Sequence, residues 1–131
     1  MQALAEAALP GTAADGKLVD NAGLVALFSG HDHGDTWCYL WDETLPTMDF
    51  PGNGLNLCFG QHSGHGGYGS WIRGARQVRV SETALRDAAR SYVRPAVDTW
   101  IRLESGDVVG SVSLNSTYGT DVYPSTPNTH T

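Results

Sequence analysis

The sequence predicts an α/β protein, α+β if the chain stands alone, with most of its regular structure in strands. Three observations carry this. The run Leu24-Val25-Ala26-Leu27-Phe28 is continuously apolar, and Leu55-Asn56-Leu57-Cys58-Phe59 nearly so, as suits strands buried on both faces of a sheet. Residues 99–103 and 108–114 flank Glu104-Ser105-Gly106-Asp107, a hairpin signal because glycine supplies the positive φ of a tight turn. Before the hairpin, residues 81–93 set Leu85, Ala88, Ala89, Tyr92 and Val93 at helical spacing, with Ser81 as N-cap and Pro95 beyond the end.

The remaining elements are read in chain order. Residues 1–9 are Ala-rich and read as a helix stopped by Pro10-Gly11, and residues 11–21 form a polar surface loop. Trp37, Tyr39 and Trp41 alternate along a short strand, after which Pro46, Pro51, Gly52 and Gly54 mark a long loop. Residues 60–69 hold five glycines, too many for a regular element unless something packs against them. Residues 77–80 are a further strand, and the Thr-, Pro- and Ser-rich residues 119–131 a loose tail.

A chain of 131 residues is the size of one domain and, if a complete unit, buries roughly two-thirds of its unfolded surface. Its net charge of −6 argues against a nucleic-acid partner, which requires clustered Lys and Arg. Arg73, Arg76 and Arg79 come nearest to a cluster and read as a solvated edge, with phosphate attraction as the alternative. No apolar run reaches the length of about 18 needed to span a bilayer, and no basic leader opens the chain. Cys38 and Cys58 suit either a disulfide or buried free thiols.

The chemistry concentrates in Gly30-His31-Asp32-His33-Gly34, directly after the first apolar strand. Sites of α/β proteins gather at the carboxyl ends of strands, where a rigid sheet positions side chains and the loop leaves room for a ligand. Neutral imidazole suits zinc, iron and similar metals, and two splayed imidazoles can serve two neighbouring ions. Asp32 between them reads as a turn residue. By residue type alone, His-x-His is equally an exposed turn.

The segment from Leu24 to Asp35 resembles the final Gly-His-x-His metal-binding motif of the calcineurin-like metallophosphoesterases, the superfamily that includes purple acid phosphatases. The run Leu57-Cys58-Phe59-Gly60-Gln61-His62-Ser63-Gly64-His65-Gly66-Gly67-Tyr68-Gly69-Ser70-Trp71-Ile72-Arg73-Gly74-Ala75-Arg76 is similar to the segment after that motif in fungal and plant phosphatases of the purple acid type. Residues 99–106 and 114–119 resemble that subgroup's carboxyl end. The resemblance covers residues 24–118 and implies that the chain is the carboxyl-terminal part of a β-sandwich flanked by helices. It further implies that His31 and His33 each ligate one of two divalent or trivalent ions, Fe, Zn or Mn. In complete form such an enzyme hydrolyses phosphate esters by attack of a metal-bound hydroxide. Asp35, His62 and His65 are candidates for a supporting or substrate-facing role.

The family's upstream motifs, an Asp-x-His, a Gly-Asp-x-x-Asp and a Gly-Asn-His-Asp/Glu, do not occur before His31. Two imidazoles alone do not hold two ions in hydrolytic geometry, because such sites need three or more protein ligands per ion. The expectation is therefore a chain that carries no catalytic residue of its own and is inactive in isolation. Two rivals stand beside it: a shortened noncatalytic relative acting as an interaction or regulatory module, and a small β-rich binding domain stapled by Cys38 and Cys58.

Overall fold

The computed structural model describes residues 11–12, 18–19, 24–44, 47, 54–91 and 94–115. The helix expected over residues 1–9, the tail, and Tyr92 and Val93 at the end of the expected second helix lie outside these. Eight strands and one helix are described: β1 (Gly11–Thr12), β2 (Leu18–Val19), β3 (Ala26–Ser29), β4 (Cys38–Trp41), β5 (Leu55–Phe59), β6 (Gly74–Val80), α1 (Glu82–Ser91), β7 (Val97–Leu103) and β8 (Val108–Leu114). The expected β-rich α/β character is present. Within the stretch read as a surface loop, β1 and β2 pair antiparallel over two residue pairs.

Two three-stranded sheets make the framework, ordered β3-β5-β4 and β6-β7-β8. In the first, β5 is central, parallel to β3 and antiparallel to β4. Successive side chains of a strand point to opposite faces. On one face of this sheet, Cys38 and Cys58 pack against Val97 and Leu114 of the second sheet, with Val25, Ala26, Leu40 and Val112 around them. On the other face, Trp41 and Leu55 are fully buried among Leu24, Tyr39 and Leu57. The apolar run of β5 is thus covered on both faces, as its composition requires. Its one polar residue, Asn56, is 6% exposed and donates from Nδ2 to the Val25 carbonyl at 3.0 Å.

The equally apolar β3 differs from expectation. It is an edge strand of its sheet among the described residues, as β4 is on the other side, and Phe28 is left 39% exposed.

Cys38 and Cys58 form a disulfide, which decides between the two readings that the sequence left open. They are directly opposed across β4 and β5, with Cα atoms 4.1 Å apart. The neighbouring pair carries the Phe59 N–H to Trp37 carbonyl bond at 2.9 Å. The cysteines therefore occupy a non-hydrogen-bonded pair, where opposed side chains approach most closely. A sequence separation of 20 makes such a crosslink worth about 3 kcal/mol in chain-entropy terms.

The second sheet is an antiparallel meander. In β7, Val97, Thr99, Ile101 and Leu103 are buried while Arg102 is exposed, the period-2 pattern of a strand facing a core on one side. Gly106, at φ 94°, makes the turn to β8, closed by the Gly106 N–H to Leu103 carbonyl bond at 2.9 Å. The β7–β8 register shifts between Thr99 and Ile101, and Gly110 in the facing segment has φ 57°, the conformation a bulge demands. On the outer side, Arg79 pairs with Asp98 at 2.8 Å. Hydrogen bonds from Arg79 and then Ser113 hold the Asp98 carboxyl below the usual range. The helix begins as predicted: the Ser81 hydroxyl accepts from the Ala84 N–H at 3.3 Å, and Ala88 faces inward.

The arginine row is divided in function. Arg76 is half-buried rather than a solvated edge residue. Its guanidinium donates to the Phe59 carbonyl (2.7 Å), the Thr36 carbonyl (2.6 Å) and Thr99 Oγ1 (3.1 Å). Thr99 in turn donates to the Gln77 carbonyl at 2.7 Å. One planar cation thereby ties the end of β5 and the segment before β4 to the second sheet. Lysine lacks the forked donors to repeat this. Replacing Arg76 by Ala removes donors from partly buried acceptors and is expected to cost about 3 kcal/mol, with Arg76→Lys recovering only a minor part. Urea unfolding checks this: a midpoint shift equivalent to less than about 1 kcal/mol in Arg76→Ala contradicts the role.

Candidate functional site

Because β3 and β5 run parallel, the loops leaving their carboxyl ends lie side by side. The Gly60 N–H donates to the Ser29 carbonyl at 2.8 Å, joining the two exits. The first loop is Gly30-His31-Asp32-His33-Gly34. The second is the glycine-rich stretch over residues 60–69. Parallel pairing alone brings together two histidine-bearing segments about thirty residues apart in sequence.

The first loop is a tight turn organised by Asp32. Its Oδ1 accepts from the Gly34 N–H at 3.2 Å, and its carbonyl accepts from the Asp35 N–H at 3.4 Å, so it is a turn residue, as its type suggests. The His31 N–H donates to Ser29 Oγ at 3.4 Å, and the His31 side chain faces solvent. His33 points the other way, into an aromatic cluster. Tyr68 stacks on its ring at 4.7 Å and 15°, His62 lies tilted at 4.6 Å, and Trp71 meets it edge-on at 6.5 Å.

Trp71 is what packs the glycine-rich loop. A Cβ on Gly69, which has φ 80°, would lie 1.9 Å from the indole, and one on Gly34 would lie 3.2 Å away. Both loops therefore approach the same indole through glycine. Tyr68 meets that indole edge-on at 5.3 Å. The loop is anchored by the Gly74 N–H to His62 carbonyl bond at 3.2 Å and by Gln61 Nε2 on the Ile72 carbonyl.

His62 is 3% exposed. Burial, and after it the nearby Arg73 cation, hold its pKa below the ordinary histidine value. Two ring nitrogens of the cluster are buried without a hydrogen-bond partner, His33 Nδ1 and His62 Nε2. Asp35 is half-buried, and its carboxylate accepts no bond from His33 Nδ1. His65 lies apart: its Nε2 is 3.1 Å from Glu104 Oε1, in a separate groove of about 290 Å³ shared with Arg73 and Arg102. Arg73 donates to the Trp71 carbonyl at 3.0 Å.

Of the five candidate residues, the fold unites His33 with His62, sets His31 on the rim of the same turn, and leaves Asp35 and His65 without a bond to this cluster. Among the described residues, no group of three or more His, Cys, Asp or Glu side chains is arranged to hold a metal ion. The imidazoles suit a borderline metal in type, yet they do not by themselves make a two-ion centre.

No family profile matches the chain, and no solved structure matches it. A protein of Arabidopsis thaliana named "Probable inactive purple acid phosphatase 14" is 33% identical to it over 90 residues. That supports a distant relationship to the phosphatase family. The match takes in 67% of this chain and 20% of the relative, so the chain spans about a fifth of the length of the curated relative it matches.

The wall of the site is most sensitive at Gly69. Gly69→Ala imposes a positive φ on alanine and drives its methyl into Trp71, with an expected cost of roughly 1–3 kcal/mol. Displacement of the indole should also move the His33 ring-proton shifts measured by NMR. Unchanged His33 shifts together with wild-type stability would show that Trp71 is not the packing element.

Proposed function

We propose that this chain forms the carboxyl-terminal wall of a two-metal phosphoesterase site, to which it contributes His31 and His33. The observation that carries the reading is the turn at the carboxyl end of β3, which sends two imidazoles in different directions, one to the rim and one against an ordered aromatic wall. The remaining ligands lie outside the described residues. This accords with a chain that aligns with a fifth of its relative.

A pair of bound ions, Fe, Zn or Mn, would polarise phosphoryl oxygens and activate water. The residues of this chain have narrower tasks. His31 and His33 would present one imidazole to each ion, and Tyr68 and Trp71 restrict the swing of His33. A groove of about 300 Å³ lined by Ser29, Gly30, Gly60, Gln61 and Ser63 opens beside the turn and gives a phosphate ester room to approach.

A second reading, a noncatalytic relative that keeps the fold as an interaction module, draws support from the word "inactive" in the relative's name and from the missing third ligand among the described residues.

Under the primary reading, the purified chain supplied with Mn, Zn or Fe hydrolyses p-nitrophenyl phosphate no faster than a blank. His31→Ala and His33→Ala then change nothing in that assay. Metal-dependent turnover that disappears on His31→Ala would overturn the proposal that the chain supplies only part of a site.

A further inference from the structure

Asn115-Ser116-Thr117 is an acceptor pattern for an N-linked glycan: an asparagine, any residue but proline, and a hydroxyl residue two positions on. The chain has five asparagines, at 21, 53, 56, 115 and 128, and Asn115 alone has a serine or threonine at that second position. By itself the triplet is short and recurs by chance, so its surroundings decide. A glycan is bulky and hydrophilic, and the asparagine that carries it has to stand at the surface of the folded protein.

The structure meets that requirement. Asn115 directly follows Leu114, the last residue of β8, and is exposed in a bend of the chain. Leu114 is 3% exposed and packs with Cys38, Cys58 and Val97. The burial of Leu114 fixes where β8 ends, and the next side chain is the one that leaves the core. In the order β6-β7-β8, β8 is an edge strand, so among the described residues no strand lies beyond it to meet a glycan.

A second, independent observation comes from the cysteines. The chain has two, and they are joined across β4 and β5. Structural disulfides form in oxidising compartments, the lumen of the endoplasmic reticulum among them, and oligosaccharide transfer to asparagine takes place in that same lumen. Neither observation depends on His31 or His33 binding a metal.

We propose that Asn115 accepts an N-linked glycan in the oxidising compartment where Cys38 and Cys58 are joined. The donor is an oligosaccharide linked to a lipid diphosphate. Asn115 Nδ2 attacks C1 of the first sugar, the bond from C1 to the diphosphate oxygen breaks, and a C1–N bond forms. The proton lost from Nδ2 balances the lipid diphosphate released, and nothing is oxidised or reduced.

Expression of the chain behind a cleavable secretion signal in insect cells tests this. Protein is read both from the medium and from the protease-protected microsomal fraction, so a chain that stays in the lumen still reports. The expected intact mass exceeds that of the polypeptide by one glycan. Peptide-N-glycosidase F should remove it and leave aspartate at 115 in the tandem mass spectrum. Asn115→Gln and Thr117→Ala should abolish the added mass, while Thr117→Ser, which keeps the hydroxyl, should retain it. Lumenal chain with no glycan at Asn115 overturns the proposal, folded or not, and so does added mass that persists in Asn115→Gln. Glycosylated chain in which Cys38 and Cys58 remain thiols would break the shared route and overturn it as well.

Discussion

The structure depends on one guanidinium. Arg76 reaches from β6 to the Phe59 carbonyl, the Thr36 carbonyl and Thr99 Oγ1. These acceptors are not scattered. Thr36 closes the segment that carries His31 and His33, and Phe59 is the last residue before the glycine-rich loop. A single half-buried cation thus fixes the exit of one site loop and the entrance of the other, and ties both to the second sheet. Two residues inward from Thr36, Cys38 is crosslinked to Cys58, which precedes Phe59. The covalent and the hydrogen-bonded fastening act close together, at the start of β4 and the end of β5.

The local geometry of the site derives from that constraint. With the strand ends held, the parallel pairing of β3 and β5 sets the two loops adjacent, and glycines at 34 and 69 let both close on Trp71. The resulting wall is aromatic: Tyr68, Trp71 and a buried His62 surround His33. Such surroundings restrict the swing of the His33 ring. Of the polar side chains nearby, His65 lies against Glu104 and Arg73 donates to the Trp71 carbonyl.

Much of this was legible in the sequence, for identifiable reasons. The apolar runs, the Ser81 cap and the Gly106 turn are local signals, and β5, α1 and the β7–β8 hairpin formed where those signals pointed. What local pattern does not encode is the partner across space. The three-residue spacing of the arginines suggests a surface edge, and nothing in it reveals that Arg76 turns inward to three acceptors. The apolar content of β3 suggests burial on both faces, whereas burial depends on a neighbour that the described residues do not provide. The loop was recognisable as one needing something to pack it. The alternation of glycine with Tyr68 and Trp71 was the signal that this packing is internal to the loop. The proximity of His62 to His33 needs the parallel register of β3 and β5, which no spacing within either segment contains.

The proposed function stands or falls on whether His31 and His33 form one wall of a metal site held in place by the fold, and locating a metal in crystals of the chain tests this most directly. With zinc soaked in and diffraction recorded at the zinc absorption edge, anomalous density is expected about 2.1 Å from a ring nitrogen of His33 or of His31. Zinc bound instead between His65 and Glu104, with none at the turn after β3, would contradict it.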